Sequence, residues 1–258
     1  MKKINVSLNS KKMLSMVLAL FMIINVFVPS IRSDAAAKYV NMYVVSKISG
    51  DSNIRFSYND NGLVKKINNK TLNSTRTFDY NRTKKVTSIK EKAVGSNKSW
   101  TLVYDDKGKL YRVAGKPDIW NYSYGTNNTI KMTAYVDSGI KSRRVVLDKK
   151  NRIKEMTYSY PKINNDFKHI YKYNKKGYIS KCTQGVNYKK YSYKFKNNRV
   201  VKIHVFEQVA FELEYNYKVS YKKIKVPKSS VKAVKAQQKQ LLQPETDYSD
   251  IYYSSDTF

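Results

Sequence analysis

Catalysis in this chain would have to be built from two histidines, one cysteine and a sparse set of carboxylates. His169 and His204 lie in HIYKY and KIHVF, two strand-like segments far apart in sequence. Neither has a carboxylate or a cysteine beside it at a catalytic or metal-binding spacing. Cys182 occupies a position that comparable segments fill with Ile, Val or Met, so it reads as a buried apolar side chain rather than a nucleophile. A single cysteine also forms no internal disulfide. Asp60, Asp105, Asp106 and Asp148 stand in turns, where Asp bonds its own backbone. Glu212 and Glu214 alternate with Phe211, Leu213 and Tyr215, which puts the acids on the solvated side of a strand. No phosphate loop, nucleophile elbow, zinc or calcium-loop pattern is present in the sequence. The expectation is no enzyme, no metal and no cofactor.

Cationic chemistry is abundant instead. The chain has 50 Lys and Arg against 19 Asp and Glu. Residues 1–37 hold five basic residues and one acid, and 228–258 hold four of each. That leaves 41 basic and 14 acidic residues in 38–227, a net charge of +27. Lys outnumbers Arg by 41 to 9, and an ammonium acts as a point charge rather than a planar fork. Diffuse attraction to a polyanion fits this composition better than geometric readout. The candidate polyanion-binding residues are Lys65, Lys66, Lys84, Lys85, Arg143, Arg144, Lys154, Lys175, Lys176, Lys181, Lys189, Lys190, Lys222 and Lys223. Trp100 and Trp120 are the candidate edge aromatics for stacking on sugars or bases. Expected partners are an anionic cell-wall polymer or acidic glycan, with extracellular nucleic acid as a further candidate.

The N-terminus sets the compartment. Lys2, Lys3, Lys11 and Lys12 precede a mostly apolar run from Met13 to Val28, and Ala35-Ala36-Ala37 follows. A basic segment, an apolar segment and small residues at a cleavage site describe a secretory signal peptide, expected to end at Ala37. The run is short for a membrane span, no Cys follows it for a lipid anchor, and the mature protein is expected to be secreted and held at the cell envelope.

A repeat of about twenty-two residues positions these groups in the body. Its first anchors are Phe56, Phe78, Leu102, Tyr122, Val145, Tyr171, Tyr193 and Leu213. A second anchor follows at i+2, mostly Tyr, and apolar residues follow at i+8 and i+11, as in Val64 and Ile67. Gly62, Gly108, Asn128, Asn151 and Gly177 mark the turns. Lys84 and Val219 stand at the turn positions of units two and eight, and unit seven fits with a turn one residue shorter. Each unit reads as a β-hairpin. The i+8 to i+11 step is odd, so both residues face the core only if each hairpin carries a β-bulge.

FSYNDNGLVKKI, LVYDDKGKLYRV and YKYNKKGYISKC resemble the YD repeats of the RHS family across roughly residues 54–226. The resemblance implies a β-hairpin repeat. It leaves a toxin- or effector-associated component as an alternative to polyanion binding. The longer YD pattern, the great length and the self-cleaving core domain of the large toxin-encapsulating members are missing.

One hairpin buries about four anchors, worth about 1.5–3 kcal/mol each. Ordering about twenty residues costs about 1–2 kcal/mol apiece. Only stacked units sharing an apolar face are stable. The expected architecture is therefore all-β: an antiparallel meander of about eight hairpins over 38–227, forming a curled sheet or barrel-like roll with Tyr and Phe inside. A helix from Ser229 or Ser230 through Leu242 follows, stopped by Pro244. The segment 228–258 thus holds a helix and an acidic, Tyr-rich tail that either frays or docks back on the basic sheet.

Overall fold

The computed structural model describes residues 38–243, except 116–118, 137–138 and 161–162. The leader assigned to 1–37 and the tail from residue 244, Pro244 included, lie outside the described residues. The strands are β1 (Tyr39–Gly50), β2 (Ile54–Tyr58), β3 (Val64–Asn69), β4 (Ser74–Tyr80), β5 (Val86–Ala93) and β6 (Ser96–Tyr104). They continue as β7 (Leu110–Gly115), β8 (Ile119–Gly125), β9 (Thr129–Val136), β10 (Gly139–Leu147) and β11 (Ile153–Tyr160). The last are β12 (Ile163–Tyr173), β13 (Ile179–Gln184), β14 (Asn187–Lys196), β15 (Arg199–Gln208) and β16 (Glu212–Pro227). A 3-10 turn at Lys228–Ser230 leads into helix α1 (Val231–Leu241). Each strand pairs with its sequence neighbours and β1 pairs with β16, so the expected meander closes into an antiparallel barrel.

The bulge inferred from odd spacing recurs in six hairpins. Phe56 opposes Ile67 while Tyr58 opposes Val64, which leaves one extra residue on β3. The register shifts likewise at Tyr80, Tyr104, Leu147, Tyr173 and Phe195. The β8–β9 hairpin departs from the expectation. Tyr122 opposes Met132 and Tyr124 opposes Ile130 without a shift, so Met132 is buried in place of Thr133. The cause is local. At i+10 the bulged hairpins carry polar Lys66, Ser88, Arg112, Glu155 and Lys181, and unit seven, with its shorter turn, carries Lys202 at i+9, whereas β9 carries apolar Met132 at i+10 and needs no extra residue to bury it.

Five turns share one construction. The Asn or Asp after the second anchor accepts the amide of the residue four places on through its side chain. The bonds are Leu63 to Asn59, Lys85 to Asn81, Lys109 to Asp105, Arg152 to Asp148 and Tyr178 to Asn174, at 2.6–3.0 Å. The residue three places on takes positive φ, at +75° in Gly62 and +67° in Lys84, so the second turn forms without glycine. A methyl at Gly62 would lie 2.7 Å from Val226 Cγ2, whereas one at Gly108 meets only the ammonium end of the Lys85 side chain. Gly62→Ala is therefore expected to cost about 1–3 kcal/mol, and Gly108→Ala clearly less. Urea denaturation of the pair checks this; equal midpoints would contradict it.

Tyrosines tie the units together. The hydroxyls of Tyr80, Tyr104, Tyr124, Tyr173, Tyr193 and Tyr221 donate to the carbonyls of Val64, Val86, Leu110, Ile153, Ile179 and Val200 at 2.6–2.9 Å. Each acceptor is the i+8 residue of the preceding hairpin. Tyr58 donates in the same way to Val45 of β1. Burial pushes six of these phenols up, Tyr124 and Tyr221 to about 12, and Tyr58, Tyr80, Tyr104 and Tyr173 further.

The same bonds correct the eighth unit. β16 is one continuous strand, so no turn exists at Val219, and the anchors of this unit are Val219 and Tyr221 rather than Leu213 and Tyr215. Val45 and Ile48 of β1 supply its i+8 and i+11 positions. The last unit is thus split between the two ends of the barrel sequence.

Helix α1 lies across the turn end. Val234 packs with Val44, Leu63 and Val226 in a small second cluster, while Leu241 and Leu242 join the main core. Gln237 and Gln238 accept the amides of Val64 and Val45 and donate to the Tyr80 and Tyr58 hydroxyls. At the opposite side of that end, Lys239 lies over the Tyr178 ring, and burial beside Arg152 and Lys150 lowers its pKa.

Candidate anion-binding surface

Strand alternation and the bulges divide the basic residues between three locations. Lys65, Lys66, Arg144, Lys154, Lys181 and Lys190 lie off the core face, and all but Lys181 are exposed; Lys222 and Lys223 are exposed as well, with the Lys222 ammonium 5.3 Å from the centre of the Tyr58 ring. Lys84, Lys85, Lys175 and Lys176 belong to the turn end. Two of these four fasten the fold, Lys84 donating to the Ser229 carbonyl and Lys85 to that of Gly108. Lys176 sits 3.7 Å from the centre of the Phe195 ring.

Arg143 and Lys189 overturn the expectation of an outer position. Arg143 alternates with buried Val145 and Leu147, and Lys189 opposes buried Cys182, so both side chains are on the inner wall. Arg143 stacks between Trp120 and Tyr158, 4.7 and 5.0 Å from their ring centres. Lys189 pairs with Glu207 at 3.3 Å. Trp100 and Trp120 are likewise not outer-edge platforms. Each is half-buried and packed against the core, because each stands two residues before an anchor.

Cross-strand register brings together a set of lysines that the sequence reading largely passed over. Lys172 opposes Lys181, and Lys181 opposes Lys190, across β12, β13 and β14. Lys194 opposes Lys202, and Lys202 opposes Lys218, across β14, β15 and β16. Lys190 and Lys194 flank Ser192 on the outer side of β14, so the two rows form one stepped stripe. Of its six members only Lys181 and Lys190 were expected. None makes an ion pair among the described residues. Directly opposed like charges destabilise a sheet, so the stripe is held against its own repulsion by the burial on the other face.

The outer positions differ from those of a membrane-spanning barrel, which presents a band of apolar residues to lipid. Here Lys, Ser, Thr and Asn predominate outside, and Val, Ile, Phe and Tyr face inward.

Among the described residues, those considered for catalysis meet only in pairs. His204 faces outward, 3.4 Å from Glu214, while His169 is on the inner wall between Tyr158 and Tyr171. Cys182 is buried, as expected, with its Sγ 3.9 Å from His169 Nδ1. That contact joins residues of adjacent strands and has no local sequence signal. No group of three or more metal-ligating side chains occurs among the described residues.

The recurring elements are thus an anchoring tyrosine, an Asn or Asp that caps the turn, and a closed ring of hairpins. A model of the Teneurin YD-shell matches residues 38–249. The chain belongs to the Teneurin YD-shell family. The resemblance to YD repeats read from the sequence holds, and in this YD-shell both residues of the repeat act structurally. Tyrosine bonds the preceding hairpin, and the acid or amide closes its own turn. No curated protein matches the chain. Among solved structures, a porin-like protein from Bacteroides uniformis superposes with a TM-score of 0.38 at 10% identity, over 66% of this YD-shell and 78% of that chain. The Photorhabdus luminescens Tc holotoxin pore gives 0.29 at 12% identity, over 66% of this YD-shell and 11% of that chain.

Proposed function

We propose that this YD-shell is a secreted, non-enzymatic binding protein held at the cell envelope by anionic polymers. The observation that carries the reading is the stepped stripe of Lys172, Lys181, Lys190, Lys194, Lys202 and Lys218, six outward ammonium groups brought together by register. A polymer of negative charge relieves the repulsion between opposed lysines, which gives the stripe a binding role that an isolated fold does not need. The +27 balance of residues 38–227 adds long-range attraction.

The mature protein is expected to co-sediment with purified cell walls at low salt and to leave them in molar salt, where the screening length falls to about 3 Å. Lys194→Glu/Lys202→Glu/Lys218→Glu should lower wall retention at least tenfold without loss of the fold. Retention unchanged in molar salt, or unchanged by the triple substitution, counts against the proposal.

Membership of the YD-shell family supports a second reading, a toxin- or effector-associated component. Fold carries function poorly, so the discriminating observation is genetic: neighbouring genes would encode a toxin module or its immunity protein.

A further inference from the structure

On the outer side of β12–β15, beside the first lysine row, lies a group of apolar side chains on an otherwise polar face. Tyr188 opposes Gln208 on β15 and Thr183 on β13, and Thr183 opposes Ile170 on β12. Phe206 opposes Lys190 in the neighbouring row. The Tyr188 and Phe206 rings are 6.1 Å apart and tilted by 33°. Lys181 and Lys190 place their ammonium groups 4.5 and 5.1 Å from the centre of the Tyr188 ring. Ile170 is 40% exposed at the end of the same row. Tyr188 and Phe206 point away from the core, so packing of the barrel does not account for their type.

We infer that this cluster recognises the repeating unit of a glycosylated polyol-phosphate polymer, a phosphodiester-linked chain with pendant sugars, a choice that rests on the polyanion reading and narrows it. The lysine row meets the phosphates. Its members are spaced by the inter-strand distance of about 4.8 Å, and their flexible stems adapt to the polymer's repeat. The tilted Tyr188–Phe206 pair takes the apolar face of a sugar ring, as aromatic side chains do when they carry rings next to a charged backbone. Ile170 extends the apolar strip along the strand. A polyanion without rings can use only the lysines, whereas a sugar-phosphate repeat fills both halves.

The test measures affinity at low salt for glycosylated poly(ribitol phosphate), inorganic polyphosphate and single-stranded DNA. It uses the wild type, Phe206→Ser, and Lys172→Gln/Lys181→Gln/Lys190→Gln. Both variants alter outward side chains, and circular dichroism with thermal melting verifies the fold. Phe206→Ser should weaken binding of the glycosylated polymer about tenfold and leave polyphosphate unchanged. The triple variant should weaken both. If the triple variant lowers both affinities but Phe206→Ser discriminates between none of the polymers, the sugar assignment is overturned and the polyanion reading stands. If the triple variant binds both polymers like the wild type, this lysine row is not the binding site and the sugar-phosphate assignment fails, while the polyanion reading rests on the second row and its wall-retention test. Tighter binding of DNA than of the glycosylated polymer, lost in Phe206→Ser, would overturn the assignment in favour of nucleic acid.

Discussion

Deleting residues 40–50 is expected to abolish the native barrel, and a synthetic peptide spanning 38–53 to restore it in trans. This is the largest effect expected from a short deletion, because β1 completes the split eighth unit and closes the sheet between β16 and β2. The excision removes Val44, Val45 and Ile48, each 4% exposed or less and each worth about 1.5–3 kcal/mol. It also removes the acceptor of the Tyr58 hydroxyl and the Val45 amide that holds Gln238 of the helix. Two long edges then open on a sheet with one apolar face, and open edges invite association. The combined loss is comparable with the roughly 5–15 kcal/mol that a domain has in hand. Far-ultraviolet circular dichroism and gel filtration read the result. A monomeric, cooperatively melting protein without β1 would refute the closure argument.

Raising the pH above 10 is expected to unfold the protein steeply, in step with the ionisation of its buried tyrosines. In the unfolded chain these phenols titrate near 10. In the barrel, burial holds Tyr58, Tyr80, Tyr104 and Tyr173 well above that, and Tyr124 and Tyr221 at about 12. A group whose folded pKa is raised gives its full stabilisation below the unfolded value and loses it as pH climbs toward the folded one. Between pH 10 and about 12 the unfolded chain binds fewer protons, so stability falls, by about 1.4 kcal/mol per pH unit for each well-buried phenol. The more exposed Tyr124 and Tyr221 contribute less, because water screens them. Four buried phenols consume a typical stability within about two pH units. Tyrosinate absorbance should therefore rise in two stages, exposed side chains first and the buried set together with loss of the sheet signal. Tyr80→Phe/Tyr104→Phe should be less stable at neutral pH yet show a shallower alkaline decline. An alkaline slope identical to the wild type would sink the proposal.

Several parts of this architecture were legible before any coordinates. The odd step between i+8 and i+11 implied a bulge, and six hairpins have one. The exception was also encoded, since Met132 at i+10 removes the need for an extra residue. The split unit was harder to see. Leu213 and Tyr215 satisfy the anchor pattern locally, while the partners of Val219 and Tyr221 lie at the far end of the chain. In β1, adjacent Val44 and Val45 are both buried, because one serves the helix cluster and the other the barrel, and this breaks the alternation that marks a strand. The candidate site was legible only in part. Alternation alone places Arg143 two residues and Lys189 four residues before inward anchors, so their inner position follows from the repeat. Lys172, Lys194, Lys202 and Lys218 carry no local signal. They become neighbours only after the bulges set the register of five strands.

The split unit also dictates an order of events. Asp51 and Asn216 exchange hydrogen bonds at the seam although they are 165 residues apart in the chain. Every other strand partner is a sequence neighbour and can pair as soon as it is made. Among the strand pairs, the seam alone joins the two ends of the barrel sequence, the kind of long-range contact that slows folding most. β1 is among the first segments of the barrel to emerge during synthesis and β16 is the last strand, so the ring stays open until nearly the whole chain is available. A protein arranged in this way cannot lock into its final shape early, and it remains threadable through a narrow channel until its last strand arrives.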